Sequence, residues 1–146
     1  MNARADFYKA SPEAMQAMIA LETSVSKLGI EPGMLELIKL RASQINGCAF
    51  CVDMHTADAR KAGETERRLY AISVWRETPF FTERERAALA WTESITLLSQ
   101  THAPDKDYKV LAAQFSEREM VNLTLAICAI NNWNRLAVGF RKGPAA

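Results

Sequence analysis

Hydrophobic residues along this chain recur every three or four positions, the spacing that places side chains on one face of an α-helix. A first helix is predicted from Ser11-Pro12 to before Gly29, and a second begins at Glu31-Pro32 and runs to about Ile45. The alternation typical of a β-strand is not found, so the pattern predicts an all-α fold. The apolar positions of these two helices are Met15, Met18, Ile19, Val25, Leu35, Ile38, Ala42 and Ile45.

Five further helices are predicted from start and stop signals in the rest of the chain. Thr82 with Glu85 and Ser116 with Glu119 have the spacing of capping boxes, which open helices. Thr78-Pro79 is expected to end the helix before it. The predicted ranges are 48–61, 65–76, 82–99, 105–114 and 116–138, with a loop at 101–105.

Composition indicates one globular domain spanning residues 1–146. Apolar residues make up 49% of the 146 positions and charged residues 24%, with a net charge near +1. Such a balance gives no reason to expect a nucleic-acid or membrane partner. The polar N-terminal sequence and the lack of a long apolar run predict a cytoplasmic protein. Thiols are kept reduced there, so a CxxC motif is expected to be redox-active or metal-binding.

The segment 36–55, ELIKLRASQINGCAFCVDMH, concentrates the candidate chemistry. Residues three and four apart share a helix face, so Cys48, Cys51 and His55 are predicted to form one stripe. Asn46-Gly47 stands directly before them and is typical of a turn. The cysteines are therefore expected in the first turn of a new helix, after a reversal of the chain.

This arrangement favours an activated thiol. Unpaired N–H groups at a helix N-terminus stabilise a thiolate, which can lower a cysteine pKa from about 8.5 to roughly 3.5–7.5. His55, one turn beyond Cys51, can take the thiol proton. Glu36 lies about 15 Å before the turn and His55 about 12 Å after it, at 1.5 Å per residue. The two are thus predicted to come level, so that the carboxylate orients the imidazole.

The order of these residues resembles the alkylhydroperoxidase D branch of the carboxymuconolactone decarboxylase-like superfamily. The resemblance covers about residue 10 to Arg141 and is strongest in RASQINGCAFCVDMH. It implies a helical homo-oligomer, a trimer or hexamer, that acts as a thiol peroxidase or disulfide reductase without a cofactor. The implied partners are a small hydroperoxide and a thiol reductant. Phe50 departs from the best-studied members, which have a histidine before the second cysteine.

The same resemblance gives the four residues roles in a proton relay. Cys51, nearer His55, is the expected peroxidatic nucleophile, and Cys48 is expected to resolve it to a disulfide. Glu36 and His55 complete the relay.

Three alternatives remain open from the sequence. The cysteines could be two buried, inert residues, or they could bind zinc with His55 and a fourth ligand from Cys128 or His102. A decarboxylase or lactone-handling activity, which gives the superfamily its name, is the third. Covalent haem attachment is excluded, because the haem motif CxxCH has its histidine directly after the second cysteine, whereas His55 comes four residues after Cys51.

Other residues carry weaker expectations. Cys128, within the apolar run LTLAICAI, is predicted to be buried and inert, whereas His102 is expected to be solvated. A polar cluster on the last helix could line the thiol site, meet another subunit or face solvent; it consists of Asn131, Asn132, Asn134 and Arg135. Aromatic residues in connecting segments also favour an oligomer, because a small monomer would have difficulty burying them all. They are Phe7, Tyr8, Phe80 and Phe81.

Overall fold

A computed structural model describes residues 2–144, which contain nine α-helices, one 3₁₀-helix and no β-strand. The predicted all-α fold is therefore confirmed. None of these helices has both the length and the hydropathy needed to cross a bilayer. The α-helices are α1 (Phe7–Ala10), α2 (Pro12–Val25), α3 (Pro32–Ile45), α4 (Ala49–Lys61), α5 (Glu66–Ala71), α6 (Glu83–Thr96), α7 (Leu98–Thr101), α8 (Asp105–Ala112) and α9 (Glu117–Gly139), and the 3₁₀-helix is Ile72–Glu77.

Helix starts follow the local signals closely. Both predicted capping boxes are present: the hydroxyl of Thr82 accepts from the Glu85 N–H, and the Glu85 carboxylate accepts from the Thr82 N–H. Ser116 and Glu119 repeat this reciprocal pair at the start of α9. Pro12 lies in the first turn of α2, where its missing N–H costs no intrahelical hydrogen bond.

Two of the predicted helices are interrupted. The helix predicted over 65–76 ends as α5 at Ala71 and continues as a 3₁₀-helix, in which Val74 has non-helical angles. The helix predicted to end at Ser99 stops at Thr96, and α7 follows after Leu97. Helical spacing of apolar residues survives such kinks, so periodicity alone does not reveal them.

The four-residue helix α1 was not predicted. The Asp6 carboxylate caps it by accepting hydrogen bonds from the N–H groups of Tyr8 and Lys9. One helical turn is too short to show a 3.6-residue period, so its signal lies only in the cap.

Helix α3 is the central element, and it packs against α4, α6 and α9. Met34 and Ile38 face one core cluster, whereas Leu37 and Leu40 face another. Both sides of α3 are thus buried, which fixes the helix that carries Glu36. Of the predicted apolar positions, Ile19 is an exception, because 51% of its surface is exposed.

The single chain buries only some of the aromatic residues that were expected to need a subunit contact. Phe7 and Phe81 are 7% and 5% exposed, and Tyr8 remains 43% exposed. Phe80 is also only partly buried, so the difficulty of burying all four in one chain is seen for Tyr8 and Phe80 but not for Phe7 and Phe81. The trimer or hexamer stays a prediction from the family resemblance.

One carboxylate connects three elements of the fold. Glu93 of α6 accepts hydrogen bonds from Arg41 Nε of α3 at 2.8 Å and from Trp75 Nε1 at 2.9 Å, and it also pairs with Arg76. Burial acts to raise the pKa of Glu93, but the hydrogen bonds from Arg76, Trp75 and Arg41 hold it below the ordinary value of 4.5. The carboxylate is therefore charged at neutral pH.

Replacing Glu93 with glutamine should lower the free energy of unfolding by about 2 kcal/mol at neutral pH, because hydrogen bonds to a charged group are lost. The folded-state pKa is depressed, so this stabilisation is present above the ordinary carboxyl pKa and is lost as pH falls through the folded value. Urea unfolding of both proteins at about pH 7 and about pH 3.5 should show the difference shrink at the lower pH.

Glu77→Gln is the matched control, because Glu77 is exposed and has no ion pair within residues 2–144. Its unfolding free energy should match that of the unchanged protein. An equal loss in both variants would show that Glu93 does not tie these elements together.

Candidate active site

A tight turn sets the start of the candidate site. Helix α3 ends at Ile45, Asn46 forms its C-cap, and Gly47 has a φ of +65°, in the left-handed region that favours glycine. Cys48 is then the N-cap of α4. The predicted reversal at Asn46-Gly47 and the position of the cysteines at a helix N-terminus are confirmed.

Buried amides hold this turn against α9. The Nδ2 group of Asn46 donates to Asn131 Oδ1 at 3.0 Å and to Asn134 Oδ1 at 2.9 Å. Asn134 donates in turn to Ser43 Oγ, and Asn131 donates to Thr96 Oγ1, both at 3.0 Å. Asn134 is fully buried and Asn131 is 5% exposed.

The polar cluster of α9 is therefore divided between two faces. Asn131 and Asn134 point inward to the turn, while Asn132 and Arg135 are exposed. Asn131 and Asn134 therefore neither face solvent nor wait for another subunit, because their hydrogen-bond partners lie within the same chain.

The two cysteines of the motif are bonded to each other. Cys48 and Cys51 form a disulfide, and both are almost fully buried, beside Phe50 and Ala137. The sulfur of Cys48 also accepts a hydrogen bond from the backbone N–H of Cys51 at 3.3 Å. That contact is the capping interaction through which a helix N-terminus stabilises a negatively charged sulfur.

Glu36 and His55 come level across the two helices. His55 Nδ1 lies 2.9 Å from Glu36 Oε2, and both side chains are largely buried. An ionised carboxylate only accepts hydrogen bonds, so Nδ1 carries the proton and Nε2 of a neutral imidazole is left as a base. Lys39 pairs instead with Glu22, and Arg41 pairs with Glu93.

A cavity of about 320 Å³ opens beside this pair. Cys51 lines it and Cys48 does not, so within residues 2–144 it is the second cysteine that a cavity ligand meets. Aromatic residues from distant parts of the chain form much of the wall. The lining residues are Phe7, Tyr8, Glu22, Glu36, Lys39, Phe50, Cys51, Met54, His55, Asp58, Ile130, Trp133, Ala137 and Lys142.

A second ion pair in the wall was missed from the sequence. Lys39, 7% exposed, pairs with Glu22 of α2, whose Oε2 atom is buried without a hydrogen-bond partner among the described residues. Lys39 lies three residues after Glu36 and so shares its face of α3, which was the available signal. The partner from α2 had no signal of its own.

The remaining candidates lie elsewhere. The prediction that Cys128 is buried is wrong: it is exposed and lines a separate groove with Trp91 and Tyr108. Because α9 is apolar on several faces here, the sequence did not show which face is covered. His102 is exposed as expected, at the end of α7. Neither residue joins the two motif cysteines, and the described residues contain no group of three or more ligands arranged for a metal.

Comparison with known proteins shows to which family this chain belongs. The model of the carboxymuconolactone decarboxylase family matches residues 6–94, which contain the Glu36–His55 pair and both cysteines of the motif. This chain belongs to that family. Within it, the chain falls in the AhpD-like branch, as the sequence resemblance implied.

One curated protein is similar to this chain over nearly its whole length. The uncharacterized protein YdfG of Bacillus subtilis (strain 168) is 44% identical over 138 residues, which is 94% of each chain. Alkyl hydroperoxide reductase AhpD of Hyphomonas neptunium (strain ATCC 15444) is 44% identical over 43 residues, or 30% of this chain and 24% of that protein.

Solved structures give the same fold. ATU0492 from Agrobacterium tumefaciens, described as a putative antioxidant defence protein AhpD, matches with a TM-score of 0.97 and 50% identity over 99% of both chains. The debrominase Bmp8 matches with a TM-score of 0.85 over 94% of this chain and 74% of its own. At 21% identity, that likeness shows the fold alone.

Asn134→Ala should lower the free energy of unfolding by about 2 kcal/mol, because it removes the two hydrogen bonds that this buried side chain makes with Asn46 and Ser43. Asn132→Ala, on the exposed face of the same helix, should change it by less than about 0.5 kcal/mol. Chemical denaturation of both variants gives the comparison. Equal effects would mean that the turn before Cys48 does not depend on this amide.

Proposed function

We propose that this protein is a thiol-dependent peroxidase, a disulfide oxidoreductase that reduces hydroperoxides through the pair Cys48 and Cys51. The observation that carries the proposal is that Cys51, His55 and Glu36 line one cavity, with Glu36 bonded to His55. The AhpD names of one curated relative and one solved structure support an antioxidant, peroxidase-like role in general.

The first step requires the reduced form. His55 takes the thiol proton of Cys51, and the resulting thiolate attacks the terminal oxygen of a hydroperoxide. A sulfur–oxygen bond forms as the oxygen–oxygen bond breaks, and the leaving alkoxide takes the proton from His55. The products are an alcohol and a sulfenic acid on Cys51. Glu36 stabilises the imidazolium during this exchange through the hydrogen bond to Nδ1.

The second step forms the disulfide that the structure contains. The Cys48 thiolate attacks the sulfur of the Cys51 sulfenic acid, a sulfur–sulfur bond forms, and hydroxide leaves as water after protonation. As the N-cap of α4, Cys48 is held where backbone N–H groups favour its thiolate. An external dithiol must then reduce the pair, so a small thiol compound or a redox protein is the expected partner.

The family takes its name from a lactone decarboxylation, and a debrominase shares its fold. Decarboxylation that uses no thiol would survive loss of the motif cysteines, whereas the proposed reaction would not. Cysteine dependence therefore separates a dithiol mechanism from decarboxylation, and consumption of peroxide separates it from other dithiol reactions.

The direct test is hydroperoxide consumption with dithiothreitol as reductant. Cys51→Ser should abolish turnover, because it removes the nucleophile. In Cys48→Ser, a peroxide pulse given without dithiothreitol should leave the Cys51 sulfenic acid, because the second thiol of the motif is no longer there to resolve it. Cys128→Ser is the control and should keep full turnover, since Cys128 lines a different groove. Mass mapping should show that peroxide re-forms the Cys48–Cys51 bond. Peroxide consumption that persists in Cys51→Ser contradicts the proposal.

The relay is tested separately, through the rate at which iodoacetamide alkylates Cys51 at different pH values in a Cys48→Ser, Cys128→Ser background. His55→Ala should slow the reaction at neutral pH by up to about 30-fold, because an unaided thiol of pKa about 8.5 is only about 3% ionised at pH 7. Glu36→Gln should slow the alkylation less than His55→Ala does, because the imidazole remains. Both defects should shrink near pH 8.5, where a free thiol ionises unaided.

If Glu36→Gln leaves the alkylation rate of Cys51 unchanged at every pH, the carboxylate does not contribute to activation of the thiol. An unchanged profile in His55→Ala as well would mean that the helix N-terminus alone activates the thiol.

A further inference from the structure

The chain end beyond α9 is turned back over the cavity. The N–H of Lys142 donates to Ala137 O at 2.8 Å, and the N–H of Arg141 donates to Val138 O at 3.2 Å, the two hydrogen bonds of a Schellman motif. Arg141 has a φ of +56°, a left-handed conformation that glycine usually supplies. This reversal positions Lys142 in the cavity wall rather than along the helix axis.

The ammonium group of Lys142 lies against aromatic rings. Its Nζ is 4.5 Å from the ring centre of Tyr8, 4.6 Å from that of Phe50 and 5.5 Å from that of Phe7. The π-faces attract the cation and hold it in place, but they carry no net charge to neutralise it. Phe50 stands between the two cysteines of the motif, so the cation lies on the side of the cavity where the chemistry occurs.

The other charged side chains of the lining already have partners. Glu22 pairs with Lys39, Glu36 accepts from His55, and Asp58 pairs with Lys61 outside the cavity at 3.2 Å. Of the two lysines in this lining, Lys39 is paired with Glu22, whereas Lys142 has no carboxylate partner within residues 2–144. Lys142 is thus the lysine of the cavity wall whose charge is left for an anionic ligand.

We propose that Lys142 binds the anionic group of the substrate, so that the preferred substrate is an organic hydroperoxide carrying a carboxylate. The apolar body would pack against Phe50 and Trp133, with the peroxide group at Cys51 and the carboxylate on Lys142. This substrate class rests on the proposed function. Partial shielding by the rings strengthens the attraction, because a cation held out of bulk water interacts with an anion at lower dielectric.

A matched substrate pair tests this assignment. Cumene hydroperoxide and its para-carboxylate share one reacting group and differ in one charge. The unchanged protein should favour the carboxylate about tenfold in kcat/KM, mainly through KM, the order expected for a hydrogen bond between charged groups. Lys142→Met should bring the ratio of the two kcat/KM values to about one, and Lys142→Arg should keep the preference. Lys106→Met, at an exposed position of α8 outside the lining, is the control and should leave the ratio unchanged.

A binding measurement separates this proposal from the proposed function. By calorimetry, the disulfide form should bind 4-isopropylbenzoate about tenfold more tightly than the neutral 4-isopropylbenzamide, and Lys142→Met should remove the difference. If neither hydroperoxide is consumed but this preference is found, the peroxidase proposal fails and the anion site stands. If both hydroperoxides are consumed at equal kcat/KM, the anion site is overturned and the peroxidase proposal stands. If the binding preference survives Lys142→Met, the anion site is overturned whatever the turnover assay shows.

Discussion

Hydrogen bonds between buried amides hold the turn at residues 46–47 against α9, and the geometry of the site depends on that contact. The side chain of Asn46 donates to both Asn131 and Asn134. Since a buried amide without partners costs about 1–3 kcal/mol, the turn is held in one position relative to α9. Cys48 begins α4 directly after this turn, so the amides fix where both motif cysteines lie. The two antiparallel helices then bring Glu36 level with His55, without any loop between the turn and the site.

The predictable part of the molecule is the part governed by local rules. Capping boxes involve residues three apart, and both formed as expected. The meeting of Glu36 and His55 also followed from counting, because two regular helices rise 1.5 Å per residue on either side of one turn. The family resemblance added roles for these residues that spacing alone did not supply. Local signals failed where the backbone departs from regular helix, as at Val74.

The rest of the site could not be predicted, because it is assembled from distant segments. Lys142 meets Phe7 and Tyr8, which come from the opposite end of the chain. No pattern within either segment indicates the other, and α1 is too short to show periodicity. The prediction for Cys128 failed for a different reason: an apolar run on a helix shows that some face is buried, but not which one. Tertiary packing decides which face of α9 is buried, and residues of α9 other than Cys128 contact the core.

The two motif cysteines differ in their surroundings, and in the proposed cycle this difference gives each sulfur its own role. Cys51 faces the cavity with His55, so an incoming thiol reaches its sulfur first. Attack there expels Cys48, whose sulfur accepts a backbone N–H at the start of α4 and is therefore stabilised as a thiolate. A leaving thiol of low pKa departs faster, so the helix N-terminus assists reduction of the disulfide while the relay assists attack on the peroxide. Reversing the positions would place the capped sulfur in the cavity and would leave the departing sulfur without the N–H group that stabilises its thiolate. The order of the two cysteines along α4 thus suits both halves of the proposed cycle.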